Sequence, residues 1–594
     1  MKQTKKQRGK SQAPSQKAMV SVTSAFERRD YLLAALCAVV AFALYANTFS
    51  HDYVLDDQAA ITKNLYVQQG FGGIPKLLTV DFWHFSGLRL GYYRPLPLIT
   101  YAVEHQFFGL NPHVGHFTNV LLFALTSFFV FLLMRRLVGG HIFLALSATL
   151  VFAAHPIHTE VVNNIKSRDE LLSFLGLVLT LFFVLRHIDS RRTIHLAGAV
   201  ISVYLAMLCK ESAFIIIALV PFLYWQYGKI GVSQTLRSLL PFGAAILVYL
   251  IQRAALFETT QTIIPRDMIN YPYLDSAVRL SSMCMIFLHS VGMLLYPWPL
   301  RYDYSYNQIP AVTWADPSAI GGLALLIGLS VAALLLLRRT PKLGYALLLV
   351  LIPLVPALGF VAMRGGIFAE RFLFAPSLGF CLALVLVLDR VASLGTSTQE
   401  ESASQNTTRT GVVLAVSVLA AGVFGTMTFQ RNPAWKDPYT LYSTDVITGR
   451  QSAQNHLHMG LTSLKMAYEE SDKSKKADLI AKGQASINEA LRVHPTFGDA
   501  MFYAGYAYEL KAVSEDIRYV DSAMFFFQRA TVYAPMMDEP YIHLGDIYKW
   551  MQRNDAASYC FNQAVRVNPS NEVARQKAAM MRQQFGLGVN VKPF

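Results

Sequence analysis

Residues 319–337 read AIGGLALLIGLSVAALLLL, nineteen positions without one charged side chain. As a helix rising about 1.5 Å per residue, such a run is about as long as the hydrocarbon layer of a bilayer, roughly 30 Å, is thick. Tyr31–Phe49 and Phe372–Leu388 repeat the pattern. Working outward from these, twelve apolar segments can be drawn: 31–49, 116–134, 140–154, 171–186, 193–209, 212–227, 238–256, 279–297, 318–337, 343–361, 372–390 and 411–429. The composition agrees. The chain is 53% hydrophobic and 15% charged, whereas soluble domains carry about 25% charged residues. From residue 430 onward the sequence turns polar and amphipathic, so the two parts are built for different solvents. The expected fold is all-α: a polytopic helical membrane domain followed by a soluble helical domain.

The basic residues orient the membrane part. Residues 1–29 form a basic tail, Arg135 and Arg136 follow the second segment, Arg186, Arg191 and Arg192 the fourth, and Lys229 and Arg237 the sixth. Every second connection is thus basic, which marks it as cytoplasmic. Arg338, Arg339 and Lys342 keep that alternation only if 279–297 does not cross. That segment is interrupted by His289 and Gly292 and runs into Tyr296-Pro297-Trp298-Pro299, which suits a re-entrant or surface-lying helix. The expectation is therefore about eleven spans in residues 30–430, a cytoplasmic N-terminus with an uncleaved signal anchor, and an extracytoplasmic C-terminal domain. The large outer loops fall at 50–115, 155–170, 257–317 and 362–371, and a flexible inner loop at 391–410. The net charge of +14 is accounted for by this rule, and no basic face alternating with aromatics in the polar part points to nucleic acid. Cys37, Cys209, Cys284, Cys381 and Cys560 are scattered, mostly in apolar runs, and make neither a disulfide framework nor a metal pattern.

The C-terminal part carries a period. Tyr541, Leu544, Gly545, Tyr548, Ala557, Phe561, Ala564 and Pro569 fit one tetratricopeptide repeat. A copy before it has Met501, Ala504, Gly505, Tyr508, Ala523, Phe527, Ala530 and Pro535, and a weaker first copy has Met459, Gly460, Ile487, Ala490 and Pro495. About three repeats over 453–585, joined by a linker at 431–452, are enough for a stacked core. Such repeats commonly hold a polypeptide, though they also cap or dimerise.

Polar chemistry gathers in the outer loops. Asp56 and Asp57 follow the first segment. Adjacent carboxylates repel, and neighbouring side chains diverge, so the pair reads as one base with an orienting partner, or as a helix N-cap pair. Arg94, within Tyr92-Tyr93-Arg94-Pro95-Leu96, suits a lipid phosphate through its guanidinium fork, or simply snorkels into the interface. His155, His158 and Glu160 are metal-ligand types in a non-standard spacing. Hydrogen-bonded support of the site is the preferred reading, no metal is assigned, and a divalent cation stays an open alternative. Lys166, Arg168 and Asp169 could bind phosphate or form a loop ion-pair network. Lys210 and Glu211 lie between two apolar segments, where charge is costly and usually purposeful. Asp303, in Asp303-Tyr304-Ser305, and Glu370 with Arg371 complete the set, Arg371 being a further phosphate candidate.

In this order the motifs resemble the TMTC family, the transmembrane and tetratricopeptide-repeat O-mannosyltransferases of the C-type glycosyltransferases. The resemblance rests on Asp56-Asp57, Tyr93-Arg94-Pro95-Leu96, His155-Pro156-Ile157-His158-Thr159-Glu160, Ser167-Arg168-Asp169-Glu170, Lys210-Glu211, Asp303-Tyr304-Ser305, and Glu370-Arg371-Phe372 leading to Pro376-Ser377-Leu378-Gly379-Phe380. It runs from about residue 30 through the repeats. Members often carry more repeats than three, and the short loops suggest a bacterial member in an inner membrane. The resemblance implies a polyprenyl-phosphate sugar (mannose or another hexose) as donor substrate, a Ser/Thr hydroxyl of a protein as acceptor, and inversion at the sugar. It also implies Asp56 as general base beside Asp57, with Arg94, Lys166, Arg168, Lys210 and Arg371 at the donor phosphate. His155, His158, Glu160, Asp169, Glu211, Asp303 and Glu370 would support the site. Two other readings compete: a ligase using a polyprenyl-diphosphate oligosaccharide, and a non-enzymatic membrane scaffold that presents repeats.

Overall fold

A computed structural model describes residues 26–86, 91–257, 275–358, 367–394 and 403–585. Residues 258–274 of the expected outer loop 257–317, 362–366 of 362–371 and 395–402 of the expected inner loop 391–410 therefore lie outside the described residues. The described residues form helices and no strand. Each of the twelve apolar segments is helical over most of its described residues. Among the described residues, eight helices are long and apolar enough to cross a membrane, and nine if Ile142–Ala154 and Pro156–Asn163, bent by 50°, make one broken span. Thr193–Cys209, Glu211–Gln226 and Pro341–Ala357 are apolar but shorter. Glycines let the short helices run close beside longer ones. A Cβ on Gly176 would meet Ala206, and the ring of Phe183 sits over Gly198, so Thr193–Cys209 runs antiparallel along Arg168–Ser190.

The helix ends sort onto two levels. At one, Asp30 pairs with Arg135 at 2.8 Å, Arg136 with Asp189, and Arg409 with Asp389 at 2.6 Å, while Lys342 Nζ donates to the Val138 carbonyl at 2.7 Å. These are the connections that the charge pattern groups together. The other level holds the chemistry-bearing loops. Ser276–Leu295 is long and apolar enough to cross. Yet Ser281 and Ser282 bond to Val312, five residues before Pro317–Arg339 begins, and the Leu294 carbonyl bonds to His155. Two parts of this helix thus meet segments of the second level.

Three helix pairs follow: Ala453–Glu469 with Lys473–Val493, Gly498–Ser514 with Tyr519–Tyr533, and Glu539–Trp550 with Asn554–Val567, closed by Glu572–Phe585. Gly460, Gly505 and Gly545 lie against Ile487, Phe527 and Phe561 in turn, so each pair closes on a residue without a side chain. The stretch 431–452, expected as a linker, is helical over Asn432–Trp435 and Pro438–Thr448 and buries Trp435, Leu441 and Asp445. Trp435, Leu441, Tyr442 and Met459 form one cluster with Val54 and Tyr302, joining the repeats to the second-level loops.

Candidate active site

The site begins where the chain leaves its first membrane helix. Leu55 has φ +50°, a left-handed conformation that L-residues adopt at some cost. It is held there because Leu55 and Val54 pack against the Trp435–Tyr442–Met459 cluster. The turn sends the next two carboxylates apart. Asp57 is fully buried; its Oδ2 accepts from the Val54 N–H at 2.9 Å and its Oδ1 from the Lys166 N–H at 2.6 Å. Burial pushes its carboxyl up to about 7, against the pull of those two donors. Asp57 is thus a strut between the first and second loops. Asp56 is exposed, and its carboxylate lies within electrostatic reach of Arg371, Tyr442 and His458.

The expected phosphate binders separate into two groups. Arg94 is spent on protein carboxylates: Nε and Nη2 grip both oxygens of Glu211 at 2.8 and 2.7 Å, Nη1 donates to Asp169 at 2.8 Å, and the group stacks over Tyr92. Arg168 is wholly buried, bonded to Asn119, Thr100 and the Gly115 carbonyl and paired with Glu104 at 2.7 Å. Lys166 lies 3.5 Å from Asp169 and over the rings of Phe82 and Trp83. These three hold the loops together. Lys210 and Arg371 differ. Lys210 pairs with Glu170, and Arg371 with Glu160, whose other oxygen accepts the Arg371 N–H at 2.9 Å. Both cations line one open cleft, and the Arg371 side chain is 31% exposed. The remaining walls are mostly apolar: Phe174, Leu177, Ile215, Ile216, Pro353 and Pro356. A greasy groove with two cations along it can take a lipid tail and its anionic head group.

The other expected residues support this frame. His155 Nε2 lies 3.0 Å from the Leu294 carbonyl, and His158 Nε2 lies 2.9 Å from Ser377 Oγ. Glu160 is taken by Arg371, and among the described residues no His, Cys, Asp or Glu cluster of metal-binding kind forms. Asp303 accepts from Ser305 Oγ at 2.6 Å and Ser452 Oγ at 2.5 Å, and Glu370 from the Arg301 N–H at 2.5 Å and the Tyr304 hydroxyl at 2.8 Å.

Reading the sequence missed two features. Arg431, at the end of the last apolar helix, clamps Asp445 with two bonds of 2.5 and 2.7 Å, and Asp445 also accepts the Tyr302 N–H at 2.7 Å. Tyr302, Tyr442 and His458 also form a ring cluster, with Tyr442 and His458 in electrostatic reach of Asp56. An arginine ending an apolar run and an aspartate in a supposed linker were the available signals.

No protein-family model matches the chain. Among curated proteins, it is 25% identical over 580 residues to protein O-mannosyl-transferase Tmtc1 of Drosophila melanogaster, covering 81% of this chain and 64% of that protein. Tmtc2 of the same fly is 29% identical over 294 residues, covering 47% of this chain and 31% of its own length. Human TMTC4 is 28% identical over 412 residues, covering 58% and 54%. The chain thus spans less than two thirds of the length of these relatives.

Proposed function

Starting from kinship with the proteins named TMTC protein O-mannosyl-transferases, we propose that this chain is an integral membrane glycosyltransferase. In this reading it moves a mannose or other hexose from a polyprenyl-phosphate donor to a serine or threonine hydroxyl of a protein on the extracytoplasmic side. The isoprenoid lies in the apolar cleft, and Lys210 and Arg371 face its phosphate. Asp56 takes the proton as the acceptor oxygen bonds to the anomeric carbon. The bond from that carbon to the phosphate oxygen breaks with inversion, and the electron pair leaves on the phosphate. The two cations stabilise the developing charge at the membrane surface, where little water competes. Arg94, Arg168 and Lys166 act indirectly: Arg94 and Lys166 hold Asp169, and Arg94 also holds Glu211, which flanks Lys210 in the chain.

The observation that carries this reading is an exposed Asp56 carboxylate within electrostatic reach of both Arg371 and His458 of the first repeat helix, beside a buried Asp57 that fixes its loop. The test is purified protein with labelled polyprenyl-phosphate mannose and a threonine-containing peptide. Asp56→Asn should cut transfer by roughly 100- to 10,000-fold, the usual worth of a general base. Transfer by Asp56→Asn at the wild-type rate would remove the assignment. Use of a lipid diphosphate alone would favour the ligase reading.

A further inference from the structure

Asp56 has a second neighbourhood that the donor cleft does not include. Tyr302, Tyr442 and His458 come from three elements: the loop after Ser276–Leu295, the helix Pro438–Thr448 and the first repeat helix, Ala453–Glu469. Their rings meet pairwise, with centroids 5.2 Å apart for Tyr302–Tyr442, 5.1 Å for Tyr442–His458 and 5.9 Å for Tyr302–His458. The imidazole is fixed from both sides, by Tyr302 hydroxyl at Nδ1 (3.0 Å) and Gln454 at Nε2 (2.8 Å). The two tyrosines are nearly buried, while His458 keeps part of its surface open. None of the three lines the cleft that holds Lys210 and Arg371. Tyr302 and Tyr442 thus fix the open part of His458 as a small rigid surface, within electrostatic reach of the Asp56 carboxylate and apart from the proposed phosphate binders.

An inverting displacement needs such a surface. The attacking oxygen must approach the anomeric carbon from the side opposite the leaving phosphate, within a few ångströms of the base. A ring already fixed by its neighbours gives contact to a polypeptide at small entropic cost. We propose that His458, held in place by Tyr302 and Tyr442, forms the acceptor subsite and contacts the polypeptide that flanks the reacting hydroxyl. This inference rests on the glycosyltransferase reading. The repeats then complete the site as well as recruiting a partner, because one of the three rings belongs to the first repeat helix.

The experiment uses the full-length purified chain, polyprenyl-phosphate mannose and a threonine-containing peptide. His458→Ala should raise the peptide KM tenfold or more, with the donor KM within twofold of wild type. His458→Gln, which keeps one polar edge, should recover part of the loss. A merely structural role would raise both KM values together and lower the melting temperature. A wild-type chain exposed to the same peptide, carrying a benzophenone residue next to its threonine, should be photolabelled at 298–310 or 438–462. An active wild type with labelling elsewhere, or with an unchanged peptide KM in His458→Ala, overturns the subsite alone. A wild type that transfers no sugar overturns the underlying reading and the subsite with it.

Discussion

Asp56 and Asp57 are neighbours in the chain with opposite circumstances, and the difference makes Asp57 testable by itself. Its carboxylate accepts two backbone N–H groups inside the protein. Asparagine offers one acceptor oxygen in their place, so Asp57→Asn leaves one buried donor short and should cost about 1–3 kcal/mol. Its folded-state carboxyl sits near 7, above the ordinary value of about 3.9. The folded protein therefore holds a proton that the unfolded chain releases between those values, and Asp57's contribution to stability falls as pH rises from about 4 through 7. His51 acts with the opposite sign: burial lowers it to about 4, so its contribution rises with pH up to about 6.5. Melting temperatures of wild type and Asp57→Asn in detergent should thus draw together as pH rises, and parallel curves would contradict the assignment. Arg94 gives a second test at this scale. Removing it takes the guanidinium from the buried Asp169, leaving Lys166 at 3.5 Å, and from both oxygens of Glu211, and breaking a buried pair costs about 3–5 kcal/mol. Arg94→Ala should reduce the yield of folded protein before it changes donor KM, and Arg94→Lys should rescue little because the bidentate fork is lost. The sequence marked these residues because charge at a membrane surface is costly. It could not say which were already paired, since Arg94 meets Glu211 across 117 positions and Glu160 meets Arg371 across 211.

At the scale of elements the sequence was most informative where lipid is the solvent. A membrane helix must satisfy its backbone internally and keep charge out over its whole length, so all twelve segments could be drawn from composition. The stretch 431–452 was harder, because its polar residues suit a linker as well as a packed helix. Its start signals were nevertheless present: Asp437 caps Thr440 at 2.8 Å, and Pro438 opens the helix. Which faces of the helices pack could not be read, because a glycine in an apolar run looks the same against lipid as against a neighbour. The structure separates the two cases. A Cβ on Gly379 would lie 2.6 Å from the Ala346 carbonyl oxygen and the Val350 nitrogen, whereas one on Gly328 meets nothing within 4 Å. Gly379→Ala should therefore destabilise by about 1–3 kcal/mol through overpacking. Gly328→Ala should be neutral or stabilise by up to about 1 kcal/mol through helix propensity. Thermal unfolding of the two variants in detergent checks the contrast, and equal effects would mean that the Pro341–Ala357 and Phe374–Leu394 helices do not pack as closely as described.

For the whole molecule, the question is whether the repeats are an appendage or part of the proposed active site. The contacts argue for the second. Ser452 bonds Asp303, the Ala453 N–H bonds the Tyr306 carbonyl at 2.8 Å, the Asn307 N–H bonds the Gln451 carbonyl at 2.7 Å, and Arg301 Nε bonds the Thr448 carbonyl at 2.9 Å. Met459 packs in the same cluster as Val54, two residues before Asp56. Deleting residues 450–594 would expose that cluster, free the loop carrying Asp303 and loosen the turn that aims Asp56. Such a protein should lose donor turnover along with peptide transfer. Deleting only residues 535–594 keeps the first two helix pairs and every contact just named, so donor turnover should stay within a few-fold of wild type even if the acceptor KM rises. The measurement is release of labelled sugar from polyprenyl-phosphate mannose, with and without peptide, by both truncations. The longer deletion turning over donor at the wild-type rate would show that the membrane domain builds its base without the repeats. Equal loss in both would instead place the needed contacts in the last repeat, far along the chain from Asp303 and Val54.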